Sequence, residues 1–251
     1  MVNFVGAGCG AVDLITVRGM KLLQNADVII YAGSLVNPEL LEFAKSTCEI
    51  HNSAYMTLDD VISVIEEAEH FGKMTVRLHT GDPSLYGAIR EQIDRLEALN
   101  IPYEICPGVS SFCGAAAALR AEYTLPDVSQ TVIITRRSGR TKVPEKESIQ
   151  NLASHGATMV VFLSTGMLKE LSKELIEGGY SPDTPSAIVY KASWEDEKVC
   201  RCTVGNLAQT AEANGIKKTA LICVGNFLGN DYSLSKLYDK TFETEFRKAK
   251  L

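Results

Sequence analysis

Along the first 120 residues, short apolar runs alternate with stretches whose apolar positions recur every three or four residues. "VNFVG" reads as a strand, "TVRGMKLLQNA" as a helix and "DVIIYAG" as a second strand. "NPELLEFAKS" has a helical pattern and "CEIHN" the pattern of a short strand. "TLDDVISVIEEAEHFG" sets Leu58, Val61, Ile62 and Ile65 on one helical face and stops at Gly72. "KMTVRLHTG" is the next strand, and "SLYGAIREQIDRLEALN" aligns Leu85, Ile89, Ile93 and Leu96 as another helix. "PYEICPG" and the alanine-rich "SSFCGAAAALR" complete the series. This rhythm predicts an α/β fold with a largely parallel sheet covered by helices.

"AEYTLPDVSQ" breaks the rhythm and divides the chain into an N-terminal α/β domain over 1–120, a linker over 121–129 and a C-terminal α/β domain over 130–251. In the second half "TVIIT", "ATMVVFL" and "KKTALICVGN" read as strands, "SIQNLASHG", "GMLKELSKELIEGG" and "GNLAQTAEANG" as helices. "SAIVYKAS" and "KVCRCTV" read as two strands joined by the hairpin-like turn "WEDE". The tail from Leu228 is polar and has no clear period.

Composition narrows the function. A formal charge of −6 over 251 residues argues against a nucleic-acid binder. No apolar run reaches the roughly 20 residues of a membrane span, and no basic segment precedes an apolar one at the N-terminus. The seven cysteines are scattered without a C-x-x-C pair, and Cys200 and Cys202 fall on one face of a strand. Reduced thiols and a cytoplasmic location are expected, with no metal site among these cysteines and the four histidines.

Candidate chemistry gathers at three glycine turns. The first, Gly6-Ala7-Gly8-Cys9-Gly10, lacks the spacing of a dinucleotide fingerprint, and its second strand ends without a carboxylate for a ribose. No Gly-Lys-Ser/Thr follows it, so a P-loop is excluded as well. The second turn lies in "RLHTGDPSLYG", where Asp82 suits a helix N-cap and Pro83 the first helical position. The third is "CPGVSS". Three such turns at strand C-termini would line one edge of a parallel sheet, the edge at which open α/β sheets bind ligands. Glycine there lets backbone approach a polar ligand closely. His79, beside the second turn, is expected to be a buried and satisfied histidine, and Trp194 a packing anchor.

These stretches carry a resemblance. "VGAGCGAVDLITVRGMKLLQNADVIIYAGSLVNPELL", "RLHTGDPSLYGAIREQ", "IPYEICPGVSSFCGAAAAL", "LPDVSQTVIITR" and "VYKASWEDEKV" resemble the tetrapyrrole methylases of corrin biosynthesis, in particular members acting at C-11 of precorrin-4 or cobalt-precorrin-4. The resemblance implies two α/β domains, a homodimer, and S-adenosylmethionine held between the domains as methyl donor to the tetrapyrrole. By position it implies cofactor contacts at Cys9, Thr80, Gly81, Asp82, Leu85, Ser110, Ser111, Leu163, Ala192, Thr219 and Ala220. The resemblance also implies that "YAGSLVNPEL" closes one side of the substrate trough, which brings in Ser34. Such a substrate carries many carboxylates, and "TRRSGRTK" offers Arg136, Arg137, Arg140 and Lys142. Arg136 and Arg137 are the candidates for it, because a guanidinium grips a carboxylate bidentately.

The first loop departs from the family's usual G-x-G-P-G-D-P-D-L: Cys9, Ala11 and Val12 stand where two prolines and an aspartate are usual. That frees the loop backbone and removes one carboxylate. A methylase acting at another corrin position, and a non-catalytic binder with a decayed first loop, therefore stay open as readings. No covalent nucleophile is indicated, since transfer from a sulfonium needs chiefly orientation.

Overall fold

A computed structural model describes residues 1–33 and 35–249. The chain forms two compact units, Met1–Gly114 with Lys191–Glu197, and Ala115–Tyr190 with Lys198–Leu251. The expected linker stretch is part of the second unit: Tyr123 is buried, its ring centroid 5.2 Å from that of Phe227, and its carbonyl accepts the Thr158 hydroxyl at 2.9 Å.

The first unit is built on β1 (Val2–Gly6), β2 (Val28–Tyr31), β3 (Glu49–Asn52), β4 (Thr75–His79) and β5 (Tyr103–Cys106). All are parallel, in the order β3-β2-β4-β1-β5. Residues alternate between two apolar layers, as the two-residue period of a strand requires. Val2, Phe4, Val28 and Ile30 pack against α2 (Leu58–His70) and α3 (Arg90–Ala98). Val5, Ile29, Val76 and Leu78 pack on the other face, where α1 (Val17–Asn25) contributes Leu23. Burial of both faces explains the continuous apolar runs that made these strands legible. α2 opens on a Thr57–Asp60 capping box, and Gly72 follows its last turn at φ +66°, as expected from "TLDD" and "HFG". Pro38–Phe43 is helical but of the 3-10 type, with Asn37 capping the Glu39 N–H.

The helix expected to begin at Pro83 does not begin there. Tyr86 and Ala88 take φ values of 57° and 50°, which no right-handed helix contains, and α3 starts only at Arg90. Leu85 consequently lies in a tight turn rather than on the helical face of Ile93 and Leu96. From β1 the chain crosses toward β2, and from β4 it crosses the opposite way to β5. The adjacent C-terminal ends of β1 and β4 are therefore the sheet's topological switch point.

The second unit carries a mixed sheet. Its strands β6 (Val132–Arg136), β7 (Thr158–Phe162), β8 (Pro185–Tyr190), β9 (Lys198–Thr203) and β10 (Ala220–Val224) lie in the order β6-β7-β10-β8-β9. Among its neighbouring pairs only β6–β7 is parallel. The connection between β8 and β9 is too short for the dozen or more residues of a parallel crossover, so the two form the hairpin that the sequence predicts. Met159, Val161, Ile188 and Ile222 pack with residues of α5 (Ile149–Ala153), α6 (Leu168–Glu177) and α7 (Leu207–Ala213). Cys200 and Cys202 both face this core. Among the described residues no helix is long and apolar enough to cross a membrane.

Candidate functional site

At the switch point the three glycine turns of the first unit interlock through their backbones. Ala7 N donates to the His79 carbonyl at 2.7 Å, and Gly8 and Gly81 exchange N–H···O bonds of 3.3 and 2.9 Å. A Cβ on Gly6 would lie 2.5 Å from Gly108 Cα and 2.6 Å from the Gly81 carbonyl oxygen; one on Gly108 would meet Gly6 Cα at 2.7 Å. Only glycine permits this approach.

Asp82 ties the second turn to the third. Its Oδ2 accepts the Gly108 N–H at 2.8 Å, while Oδ1 accepts the Ser84 N–H at 2.9 Å and the Ser84 hydroxyl. Asp82 is thus a brace between turns and not the helix N-cap that its position before Pro83 suggests. Partial burial pushes its carboxyl pKa up, but the Ser84 hydroxyl and the Gly108 and Ser84 amides outweigh burial and hold it below the ordinary range.

Around this brace the structure gathers most of the expected cofactor positions of the first unit. Gly81 turns at φ 62°, and Ser110 is buried, its carbonyl accepting the Cys113 N–H at 3.0 Å. Ser111 opens α4 (Ser111–Leu119). Cys9 and Ala192 are both buried and meet at Gly114, where an added Cβ would lie 2.8 Å from Cys9 Sγ and 3.3 Å from Ala192 Cβ. The Thr80 hydroxyl is buried without a hydrogen-bond partner among the described residues. An orphaned hydroxyl costs free energy unless something polar meets it, so a glycine-lined edge beside Thr80 fits a polar cofactor.

His79 corrects an expectation. It is buried, but its Nε2 has no partner among the described residues. Burial, reinforced by the charge of Arg77, pushes the imidazole pKa down to about 3. Arg77 is buried with it and donates to Gln92 Oε1 at 3.0 Å and to the Ile30 carbonyl at 3.1 Å.

A hollow of about 810 Å³ opens beside the first loop. Ile15, Met20, Phe43 and Trp194 give it apolar walls, with Asp13 and Glu195 among its acidic residues. Lys191 places its ammonium 5.2 Å from the Trp194 ring centroid and 2.7 Å from Asp196. Trp194 is therefore a wall of the hollow as well as a packing anchor. Sequence reasoning missed the hollow because three separated segments build it; the resemblance to "YAGSLVNPEL" pointed toward one of them.

In the second unit Leu163, Thr219 and Ala220 come together at one sheet edge. The antiparallel register pairing Val161 with Ile222 brings Leu163 beside Ala220, whose carbonyl accepts the Thr165 hydroxyl at 3.0 Å. Leu163 and Thr219 have φ values of 52° and 59°, and Leu163 is 62% exposed. Arg137 is committed elsewhere: Glu174 takes its guanidinium bidentately, at 3.0 Å from Nε and 2.6 Å from Nη2. Arg136 donates to the carbonyls of Thr141 and Lys142, both at 3.0 Å, pinning its own loop. Arg140 and Lys142 are exposed. Ser34 lies outside the described residues.

The sequence pattern of the tetrapyrrole (corrin/porphyrin) methylases matches residues 1–208. A cobalt-precorrin-4 C(11)-methyltransferase of Methanocaldococcus jannaschii is 57% identical over 99% of this chain and 96% of its own. The X-ray structure of a cobalamin biosynthetic enzyme, cobalt precorrin-4 methyltransferase, superposes with a TM-score of 0.89 at 48% identity, covering 91% of this chain and 96% of the other. Uroporphyrin-III C-methyltransferase of Thermus thermophilus, solved with S-adenosyl homocysteine, shares the fold: its TM-score is 0.74 at 24% identity, over 90% of this chain and 92% of the other.

Proposed function

This chain belongs to the tetrapyrrole (corrin/porphyrin) methylases, and from that membership we propose that it methylates C-11 of cobalt-precorrin-4 in cobalamin biosynthesis, with S-adenosylmethionine as donor. The observation that carries this reading is identity over nearly the full length of both chains to a cobalt-precorrin-4 C(11)-methyltransferase. The orphaned Thr80 hydroxyl among interlocked glycine turns supports a polar cofactor at that place.

The bound donor supplies a methyl group already activated by its sulfonium, so the protein needs no covalent nucleophile. Its residues have to hold donor and acceptor in line and keep water out, an effect worth up to roughly 7–11 kcal/mol in favourable cases. Thr80, Gly81, Asp82, Ser110 and Ser111 are proposed to hold the donor, together with Cys9, Leu85 and Ala192. Leu163, Thr219 and Ala220 are proposed as further donor contacts. The substrate is proposed to lie in the hollow beside Trp194, whose flat indole suits a conjugated ring.

The substrate's carboxylates are proposed to meet Arg136 and Arg137. For Arg137 this means exchanging Glu174 for a substrate carboxylate, since its fork is already filled. Replacing both arginines by Ala should raise KM for the tetrapyrrole and leave S-adenosylhomocysteine affinity unchanged; an unchanged KM contradicts the assignment. We also propose a homodimer, as the resemblance implies, testable by sedimentation, and a cytoplasmic location, as the scattered cysteines suggest.

The function itself is tested by supplying methyl-labelled donor with cobalt-precorrin-4 and, in parallel, metal-free precorrin-4. One labelled methyl at C-11, faster with the cobalt substrate, is the expected outcome. Label at another carbon would assign the chain to a different corrin position.

A further inference from the structure

We propose that Ser193 is a positioning residue for methyl transfer, its hydroxyl setting the first glycine loop so that one wall of the hollow and the turn at Cys9 are preformed. The proposal rests on the methylase reading above for its kinetic consequence, though not for its structural one.

The loop from Gly8 to Ile15 contains two glycines and no proline, so its backbone has much freedom to lose. Its own stabilising bonds are those of one 3-10 turn: Leu14 N to the Ala11 carbonyl at 3.1 Å and Ile15 N to the Val12 carbonyl at 3.3 Å. Its remaining order comes from outside. Ala11 N donates to Ser193 Oγ at 3.0 Å, and Cys9 Sγ lies 3.3 Å from the same oxygen. Asn37 Nδ2 donates to the Gly10 carbonyl at 3.1 Å. A single hydroxyl thus holds both sides of Gly10.

The segment carrying that hydroxyl is itself fixed. Ser193 N donates to Glu197 Oε2 at 2.6 Å, Trp194 N to the Lys191 carbonyl and Glu197 N to the Trp194 carbonyl, both at 3.0 Å. The Lys191–Asp196 ion pair closes the turn at 2.7 Å. Lys191 and Ser193 both take left-handed backbone, with φ of 47° and 67°. Such conformations persist in side-chain-bearing residues only where the surroundings over-determine them, and they cluster at functional sites.

Loop and segment also meet without clearance. A Cβ on Gly10 would lie 2.5 Å from Trp194 Nε1 and 2.8 Å from the Ala192 carbonyl oxygen. Ala11, Val12, Asp13 and Ile15 line the hollow on the loop side, and Ser193 and Trp194 line it on the other. Release of the hydroxyl bond therefore moves the hollow's wall. A misplacement of about 1 Å can lower turnover by up to about 100-fold without touching the reacting atoms.

The test pairs Ser193→Ala with a second substitution that restores order by another route. Ala11 has φ −61° and ψ 140°, the extended backbone that a following proline requires. Val12 opens the 3-10 turn Val12–Leu14, a place that suits proline's fixed φ and missing N–H. In S193A, amide exchange across residues 11–14 should accelerate and kcat/KM for cobalt-precorrin-4 should fall at least about 10-fold, with the melting temperature shifted by no more than a few degrees. Adding Val12→Pro should recover most of both losses. Wild-type exchange across the loop in S193A overturns the proposal, as does a loss of turnover that Val12→Pro leaves untouched. Exchange is read without turnover, so a wild-type chain inactive on cobalt-precorrin-4 would sink the proposed reaction, while the exchange rates alone would still decide whether Ser193 orders the loop.

Discussion

The expected cofactor positions of the two units use left-handed backbone differently. In the first, the strand-end turns carry it on Gly8 and Gly81, at φ 82° and 62°. In the second, the corresponding expected cofactor positions carry it on Leu163 and Thr219, at 52° and 59°. A Cβ on Gly8 would lie 2.7 Å from the Leu14 carbonyl oxygen, and Gly6 and Gly108, which are not left-handed, are held to glycine by backbone pressed against backbone. The second unit keeps side chains where glycine would be more comfortable by roughly 1–2 kcal/mol per residue. Strain retained at an exposed leucine suggests a side chain kept for contact with a ligand. The glycine turns of the first unit thus owe their closeness to backbone, while the proposed donor positions of the second unit keep side chains in strained backbone.

The sharpest way to break this comparison is Gly108→Ala. Its Cβ would collide with the Gly81 carbonyl and Gly6 Cα, and a clash with rigid backbone should cost about 3 kcal/mol or more. Urea denaturation should show that loss, and titration calorimetry should show S-adenosylhomocysteine binding abolished. Wild-type values for both would mean that the turns are not locked together.

A pH titration gives the next effect. His79 has its pKa pushed from the ordinary 6.5 down to about 3. As pH falls below 6.5 the unfolded chain takes up that proton first, so His79's contribution is complete above 6.5 and is lost progressively toward 3. Stability should therefore decline by about 2 kcal/mol between pH 6.5 and 5, at about 1.4 kcal/mol per pH unit. His79→Leu should flatten that decline; an unchanged slope would place the titration elsewhere.

Asp82→Ala should cost about 1–2 kcal/mol by orphaning the Gly108 N–H, and weaken S-adenosylhomocysteine binding with it. Because the Asp82 carboxyl is held below its ordinary value, its contribution is present at neutral pH and is lost in acid as the pH falls through the folded value. Denaturation at pH 7 and in acid separates the variant from the wild type only at the higher pH.

The smallest stability effect should come from Leu163→Gly. Relief of left-handed strain and the added freedom of the unfolded chain oppose each other, leaving stability within about 1 kcal/mol of wild type. Affinity for S-adenosylhomocysteine should fall all the same. A drop in stability with unchanged affinity would reverse the reading of the second unit.

How much of this was legible in the sequence follows from the range over which each signal acts. The first sheet was, since strands buried on both faces write continuous apolar runs, and glycines at strand ends mark turns. The Asp82 brace was not: the local pattern Asp-Pro favours a helix start, while the partner that wins, the Gly108 amide, lies 26 residues away. The β8–β9 hairpin was legible in its short connection, whereas insertion of β10 between β7 and β8 leaves no local trace. The hollow and the Ser193 bond join the first loop to a segment 182 residues distant. Only the resemblance assigns Ala192, Thr219 and Ala220 a common role, and nothing local in the sequence around them does.

The most direct test is a crystal structure with S-adenosylhomocysteine bound. The ligand is expected against Thr80, Gly81 and Asp82, with one of its polar atoms within hydrogen-bonding distance of the Thr80 hydroxyl. A ligand seated elsewhere, leaving that hydroxyl buried and unpaired, would contradict the proposed site.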